Sequence, residues 1–176
     1  VSKFVPADDL VVPYTATSLD DAESVIHVVK MSENELRKQM VSGFYSDIEL
    51  TKPTDANTNE LEEKEREVEG LTKSQRVEAM YTILECHVNL DLEGFEDLGP
   101  DGEPTGIKLP YIVTIEEGSR KVLSIRRNFA PNDPKKNKIQ YFVHFKFLPG
   151  LGFYGLGLIH MIGGLSRTAT AALRQL

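Results

Sequence analysis

Leu84-Glu85-Cys86-His87-Val88-Asn89-Leu90-Asp91-Leu92-Glu93 places apolar residues on one parity and polar residues on the other. A period of two is the mark of a strand with one face toward a core and the other toward water. Toward the C-terminus, Gly94 to Gly106 holds Pro100-Asp101-Gly102 and Pro104, which is turn chemistry. Leu109 to Glu116 and Val122 to Arg127 read as two further strands, and Glu117-Gly118-Ser119-Arg120 between them has the length and composition of a hairpin loop. A loop rich in Pro, Asn, Asp and Lys runs from Ala130 to Lys138. Beyond it Ile139, Tyr141, Val143, Phe145 and Phe147 again repeat every second residue, which predicts one more strand over 139–147. The stretch 82–147 is therefore expected to be an antiparallel meander, and from Gly155 the pattern turns helical. The predicted class is α+β: an antiparallel β meander with short helices, ending in a truncated long helix.

Toward the N-terminus, residues 51–70 contain Pro53, a polar run from Asp55 to Asn59, and six glutamates between Glu60 and Glu69. Such a segment buries too little apolar surface to offset its ordering entropy and is expected to be a flexible acidic loop. Ser32-Glu33-Asn34-Glu35 has the capping-box spacing, and Leu36 and Met40 follow at helical intervals, predicting a helix over 33–41 that Gly43 ends. Val25 to Met31 reads as a strand. Ser18 caps a single turn through Leu19-Asp20-Asp21-Ala22, and Leu10-Val11-Val12-Pro13 suits an edge strand or extended loop. Four segments result: a small α/β part over 1–50, the acidic loop over 51–76, the meander over 77–150 and the start of a helix over 151–176.

The chain has 176 residues and is 40% hydrophobic, enough to fill the core of one domain or two small ones. Lys and Arg total 20 against 27 Asp and Glu, a net charge of −7, which argues against nucleic-acid binding through a field over the whole surface. Cys86 is the one cysteine, so no internal disulfide forms. The first residues, Val1-Ser2-Lys3, lack a methionine and are not followed by a signal-peptide pattern. The last, Ala171 to Leu176, are helix formers with no stop signal, so the sequence is expected to be a piece of a longer protein.

Gly150-Leu151-Gly152-Phe153-Tyr154-Gly155 matches G-x-G-x-x-G. A dinucleotide fingerprint needs a parallel βαβ unit and an acidic residue about 20 positions on, whereas here hairpins precede the motif and no acidic residue follows Asp133. A monomeric nucleotide-binding enzyme domain using this turn is the alternative functional reading. Phe147 to Ser166 carries no charge, but Pro149, six glycines and His160 interrupt it, so no membrane span is expected. A helix with Leu158, Met161, Ile162 and Leu165 on one side, entered through Gly155, suits packing between neighbouring subunits. The four histidines have no metal-ligand spacing and no nucleophile turn is present, so neither a catalytic nor a metal or cofactor site is expected. Arg120, Lys121, Arg126, Arg127, Lys135, Lys136 and Lys138 fall within 19 residues, and together they are a candidate contact for DNA phosphates or an acidic partner.

Five stretches resemble tailed-bacteriophage portal proteins of the podovirus-like type: residues Val5 to Leu10, Arg37 to Tyr45, Leu90 to Asp97, Leu109 to Ile115, and Gly152 to Gly157. Portal subunits form a ring, usually of twelve, at one capsid vertex, each with a wing, two stem helices, a small α/β clip and a crown. The resemblance implies that the meander lies in or beside the clip and that the helix after Gly155 begins the second stem helix. It further implies a structural rather than enzymatic protein of the virion, assembled in the host cytoplasm. Its partners would be further copies of itself, terminase, head-tail connector proteins and the double-stranded DNA passing through the ring, with no membrane and no cofactor. An acidic channel wall would let DNA slide where a strongly basic one would grip phosphates. The long acidic insertion departs from the compact clip of smaller portals.

Overall fold

A computed structural model of the chain describes residues 2–50, 80–150 and 152–175. A single 3-10 turn (Ala7–Asp9) leads into five strands: β1 (Leu10–Val11), β2 (Ser24–Ser32), β3 (Met80–Leu90), β4 (Leu109–Glu116) and β5 (Lys121–Arg127). They lie in the order β1-β2-β3-β4-β5 with every neighbouring pair antiparallel, so the fold is α+β with a β meander. The expected strands over 25–31, 109–116 and 122–127 form within a residue of their predicted limits. β3 begins earlier than its alternation suggests and pairs with β2 from Ser24↔Val88 to Ser32↔Met80. Segments 1–50 and 77–150 thus share one sheet. The acidic loop predicted within 51–76 lies outside the described residues.

α1 (Glu33–Val41) follows β2 without a break, because Ser32 is at once the last strand residue and the helix N-cap. Its hydroxyl accepts from the Glu35 N–H at 3.3 Å, the first half of the predicted capping box. At the other end Gly43 has φ +76°, the left-handed conformation that closes a helix and that glycine alone adopts freely. Leu36 points from α1 into a core of Tyr45, Tyr81, Ile83 and Leu123. Tyr81 and Ile83 stand on the same face of β3 as Glu85 and His87, so the most buried part of that strand is on the side its alternation marks as polar. The β4–β5 register slips between Thr114 and Ile115, leaving Leu123 as an extra residue. That bulge turns Leu123 into the core beside Ser124, and its carbonyl accepts from the Ser46 N–H at 2.7 Å.

The opposite face of the sheet carries Leu109, Tyr111 and Val113, with Cys86, Val88, Leu90 and Phe129 packed on them. Cys86 is partly buried, and burial pushes its thiol pKa up, away from reactivity. The β4–β5 loop is anchored from beneath: the carboxylate of Glu116, only 2% exposed, accepts from Gly118 N–H at 2.9 Å and Ser119 N–H at 2.6 Å. Glu116 is therefore a turn anchor. At Ser18 the predicted cap forms a turn and no regular helix. The Ser18 N–H donates to Asp21 Oδ1 at 2.8 Å, and the Asp21 N–H donates to Ser18 Oγ at 3.3 Å.

The strand expected over 139–147 does not form. The segment is not part of the sheet, and its alternation is inverted relative to the expectation: Ile139, Tyr141, Val143, Phe145 and Phe147 share the exposed side, while Phe142, His144 and Lys146 turn inward. The reason is where the chain goes after β5. It crosses over the sheet face instead of running along its edge, and Phe142 joins the cluster of Ala16, Leu19, Ala22, Val25 and Phe153. A turn closed by a Leu148↔Leu156 bridge then leads to α2 (Leu158–Gln175), which among the described residues buries none of its side chains. His160 stands at the third helical position and its Nδ1 accepts from the Gly157 N–H at 3.1 Å, the role a glutamate takes in a capping box.

Leu36→Ala should cost about 3 kcal/mol, the typical loss for a leucine removed from a closed core, and Ser32→Ala about 1 kcal/mol, as measured by urea unfolding. The Thr17 hydroxyl and the Ser18 N–H hold the Asp21 carboxyl down to about pKa 2 from an ordinary 3.8. The sign is that of an acid favoured in its ionised form. The turn's support is complete above pH 3.8 and is lost as pH falls through about 2, which a carboxyl NMR titration of Asp21 would register.

Candidate functional site

The register of four strands assembles a polar row that no single strand reveals. His27, Glu85, Thr114 and Ser124 stand opposite one another on β2, β3, β4 and β5, and the adjacent row is Val25, His87, Ile112 and Arg126. His27 Nδ1 lies 3.0 Å from Glu85 Oε2, a contact in which the ring donates when that nitrogen carries a proton. The Arg126 guanidinium sits 4.5 Å above the Phe44 ring, an attraction between a cation and the negative face of an aromatic ring. Burial pushes the Tyr45 phenol pKa up, with Glu85 adding to the shift and Arg126 opposing it. Burial likewise holds His87 below its ordinary value; Glu85 opposes this, while His27, Lys138 and Arg126 reinforce it.

Several atoms of this face are buried without a hydrogen-bond partner among the described residues: Thr114 Oγ1, Ser124 Oγ, Arg126 Nε, and both side-chain atoms of the Asn128 amide. Asn128 is 1% exposed, and its backbone makes the connection its side chain does not. Its N–H donates to the Pro110 carbonyl at 2.9 Å and its carbonyl accepts from the Ile139 N–H at 3.0 Å. A nucleophilic hydroxyl needs a base within hydrogen-bond reach. Among the described residues no hydrogen bond joins the Thr114 or Ser124 hydroxyl to His27 or His87. Chemically the row is a strip of matched polar side chains, which penalises register slips because any shift strands His27 or Glu85.

The seven basic residues singled out in the sequence are not gathered in one patch. Arg120, at φ +55°, and Lys121 stand at the hairpin end of β5. Arg126 and Arg127 stand at its far end, about 20 Å away at the rise of an extended chain, and face opposite sides of the sheet. Arg127 lies 5.8 Å from the Phe95 ring, on the face away from Arg126. Lys136 pairs with Asp97. The Lys138 ammonium donates to the Leu19 carbonyl at 3.2 Å, and Lys135 is exposed in the loop before it. Of the proposed packing residues, Leu158, Met161, Ile162 and Leu165 are all exposed along α2. Gly155 is tightly placed: a Cβ there would sit 2.9 Å from the Leu148 carbonyl oxygen. The G-x-G-x-x-G motif lies outside any parallel βαβ unit, since every strand pair is antiparallel.

Among the described residues no three His, Cys, Asp or Glu side chains are grouped as a metal site, and no helix is long and apolar enough to cross a membrane. No protein-family model, curated protein or solved structure matches the chain. The polar row was not foreseen, because its members lie on four strands and come together only through register. The signal available in advance was the presence of His27 and Glu85 inside the apolar runs of β2 and β3.

Thr114 is 0% exposed and its hydroxyl has no partner, so Thr114→Val removes a desolvated polar group while keeping the side chain's shape. It should raise stability by about 1 kcal/mol in urea unfolding.

Proposed function

We propose that this chain is part of a structural subunit of a tailed-phage portal ring, contributing to the channel for DNA packaging and ejection and to the surface on which terminase and head-tail connector proteins dock. The observation that carries this reading is α2. Along its 18 residues, Leu158, Ile159, Met161, Ile162 and Leu165 are exposed and no side chain is buried. The Thr168 hydroxyl donates to the Gly164 carbonyl at 3.0 Å and that of Thr170 to the Ser166 carbonyl at 2.8 Å, while Arg167 and Arg174 are exposed farther along the helix. The apolar part that packing in an assembly would cover is therefore the first half, Leu158 to Leu165.

The five stretches that resemble portal proteins support the same reading. They fall on β1 and its lead-in, the end of α1, the end of β3, the well-buried β4, and the turn into α2. In this reading the sheet belongs in or beside the clip and α2 begins the second stem helix. The protein acts by assembly rather than by chemistry, in the virion and, before that, in the host cytoplasm.

Light scattering of this chain and of a version extended at both ends tests the proposal. The extended protein should form a ring-sized particle, and Ile162→Glu with Leu165→Glu should reduce its yield at least about tenfold, the scale of one lost apolar anchor. Strictly monomeric behaviour of both chains at high concentration would remove the portal reading.

A further inference from the structure

The segment 139–147 is extended, yet among the described residues none of its N–H groups from Gln140 to Phe147 donates to a backbone acceptor. Nothing resembling a sheet ladder holds it to the body. Its attachments are side chains, and three of them run through histidine rings. Phe142 sits against His27 at 5.7 Å and His87 at 5.1 Å, Tyr141 meets His87 at 5.8 Å, and His144 stacks on Phe153 at 4.3 Å. The others are the Lys138 ammonium on the Leu19 carbonyl and the Lys146 ammonium on the carbonyls of Thr17 and Gly152.

We propose that residues 139–147 form a strap that is held over the sheet by neutral histidine rings and released when His87 and His144 take up protons. The charge balance beneath the strap supports this. Facing His87 are Glu85 from its own strand, His27 from β2, Arg126 from β5 and Lys138, the residue just before the strap. Glu85 is the one carboxylate in that set, and its Oε2 is already engaged by His27. A proton on His87 therefore adds a third positive charge beside Arg126 and Lys138, with no second carboxylate in that set to offset it. His144 has Lys146 as its charged neighbour and an apolar ring on its other side. Both rings are held below the ordinary 6.5, His87 and His144 alike by burial first. The sign follows: the neutral, attached state is complete above pH 6.5 and is lost as pH falls through the depressed values.

Release uncovers His27, His87 and Phe153 and frees an extended segment with apolar side chains on both parities. Among the described residues the strap's one backbone hydrogen bond is that of Ile139 to Asn128 at its hinge end, so residues 140–147 can leave without opening β2–β5. The device is local.

A nitroxide at Val143→Cys in a Cys86→Ala background reports on the strap directly, since Val143 is 96% exposed and the label disturbs no packing. The mobile fraction of its spectrum should rise several-fold as pH is lowered from about 7.5 to about 4.5, below the ordinary histidine range, with the far-UV circular dichroism unchanged. His87→Phe with His144→Phe keeps the ring contacts and removes the protons, and the label should then stay immobile across that range. An unchanged spectrum in the histidine protein, an equal rise in the double variant, or loss of the sheet over the same range would each overturn the proposal. Should the double variant fail to fold, an NMR titration of the unsubstituted chain decides. Phe142 ring resonances must move with the protonation of His87, and a His87 titration that leaves them in place sinks the idea.

Discussion

The unbroken pairing of β2 with β3, from Ser24↔Val88 to Ser32↔Met80, is the constraint on which the rest of the structure rests. It joins two parts of the chain separated by some fifty residues of sequence. Loop closure of that length carries an entropic cost that grows only slowly with further length, so an insertion between the strands is tolerated while the ladder and its core are kept. The ladder also puts Val29 and Met31 beside Ile83 and Tyr81, which is the surface Leu36 covers from α1. Shifting this register by one residue would turn those side chains to the other face and carry His27 away from Glu85. Core and polar row are thus specified by the same pairing.

Local signals in the sequence were read correctly where the structure is decided locally. Ser32, Glu35 and Gly43 mark the helix over 33–41 because capping and left-handed closure involve only neighbouring residues. Glu117 to Arg120 mark a hairpin for the same reason. The segment 139–147 shows where such reading stops. Its period of two is real and the chain is extended, but whether an extended segment joins a sheet depends on where the preceding strand delivers it. Here the connection through Asn128 carries it over the sheet face. The side expected to be buried is consequently the exposed one.

The same limit explains the basic residues. Seven cations within 19 residues suggest a patch, yet β5 separates Arg120 and Lys121 from Arg126 and Arg127 along its length, and the pleat sends the last two to opposite faces. Proximity in sequence became distance in space. The polar row is the converse case, since residues as far apart as His27 and Ser124 become neighbours across four strands. Glu116 is a buried carboxylate that accepts from two backbone N–H groups of the turn it anchors, contacts that only the folded hairpin supplies.

The bridge between Leu148 and Leu156 has a mechanical meaning. The Leu156 N–H donates to the Leu148 carbonyl at 2.8 Å, and Gly155 permits the close approach of the two chains there. Among the described residues α2 has no buried side chain, so this closure is the first contact that tension applied along the helix meets. Hydrogen bonds loaded together share a force, whereas one loaded alone must bear it. Behind that single closure, the buried Phe153 and the Tyr154 hydroxyl on the Leu10 carbonyl pass the load on to the sheet with its long ladders.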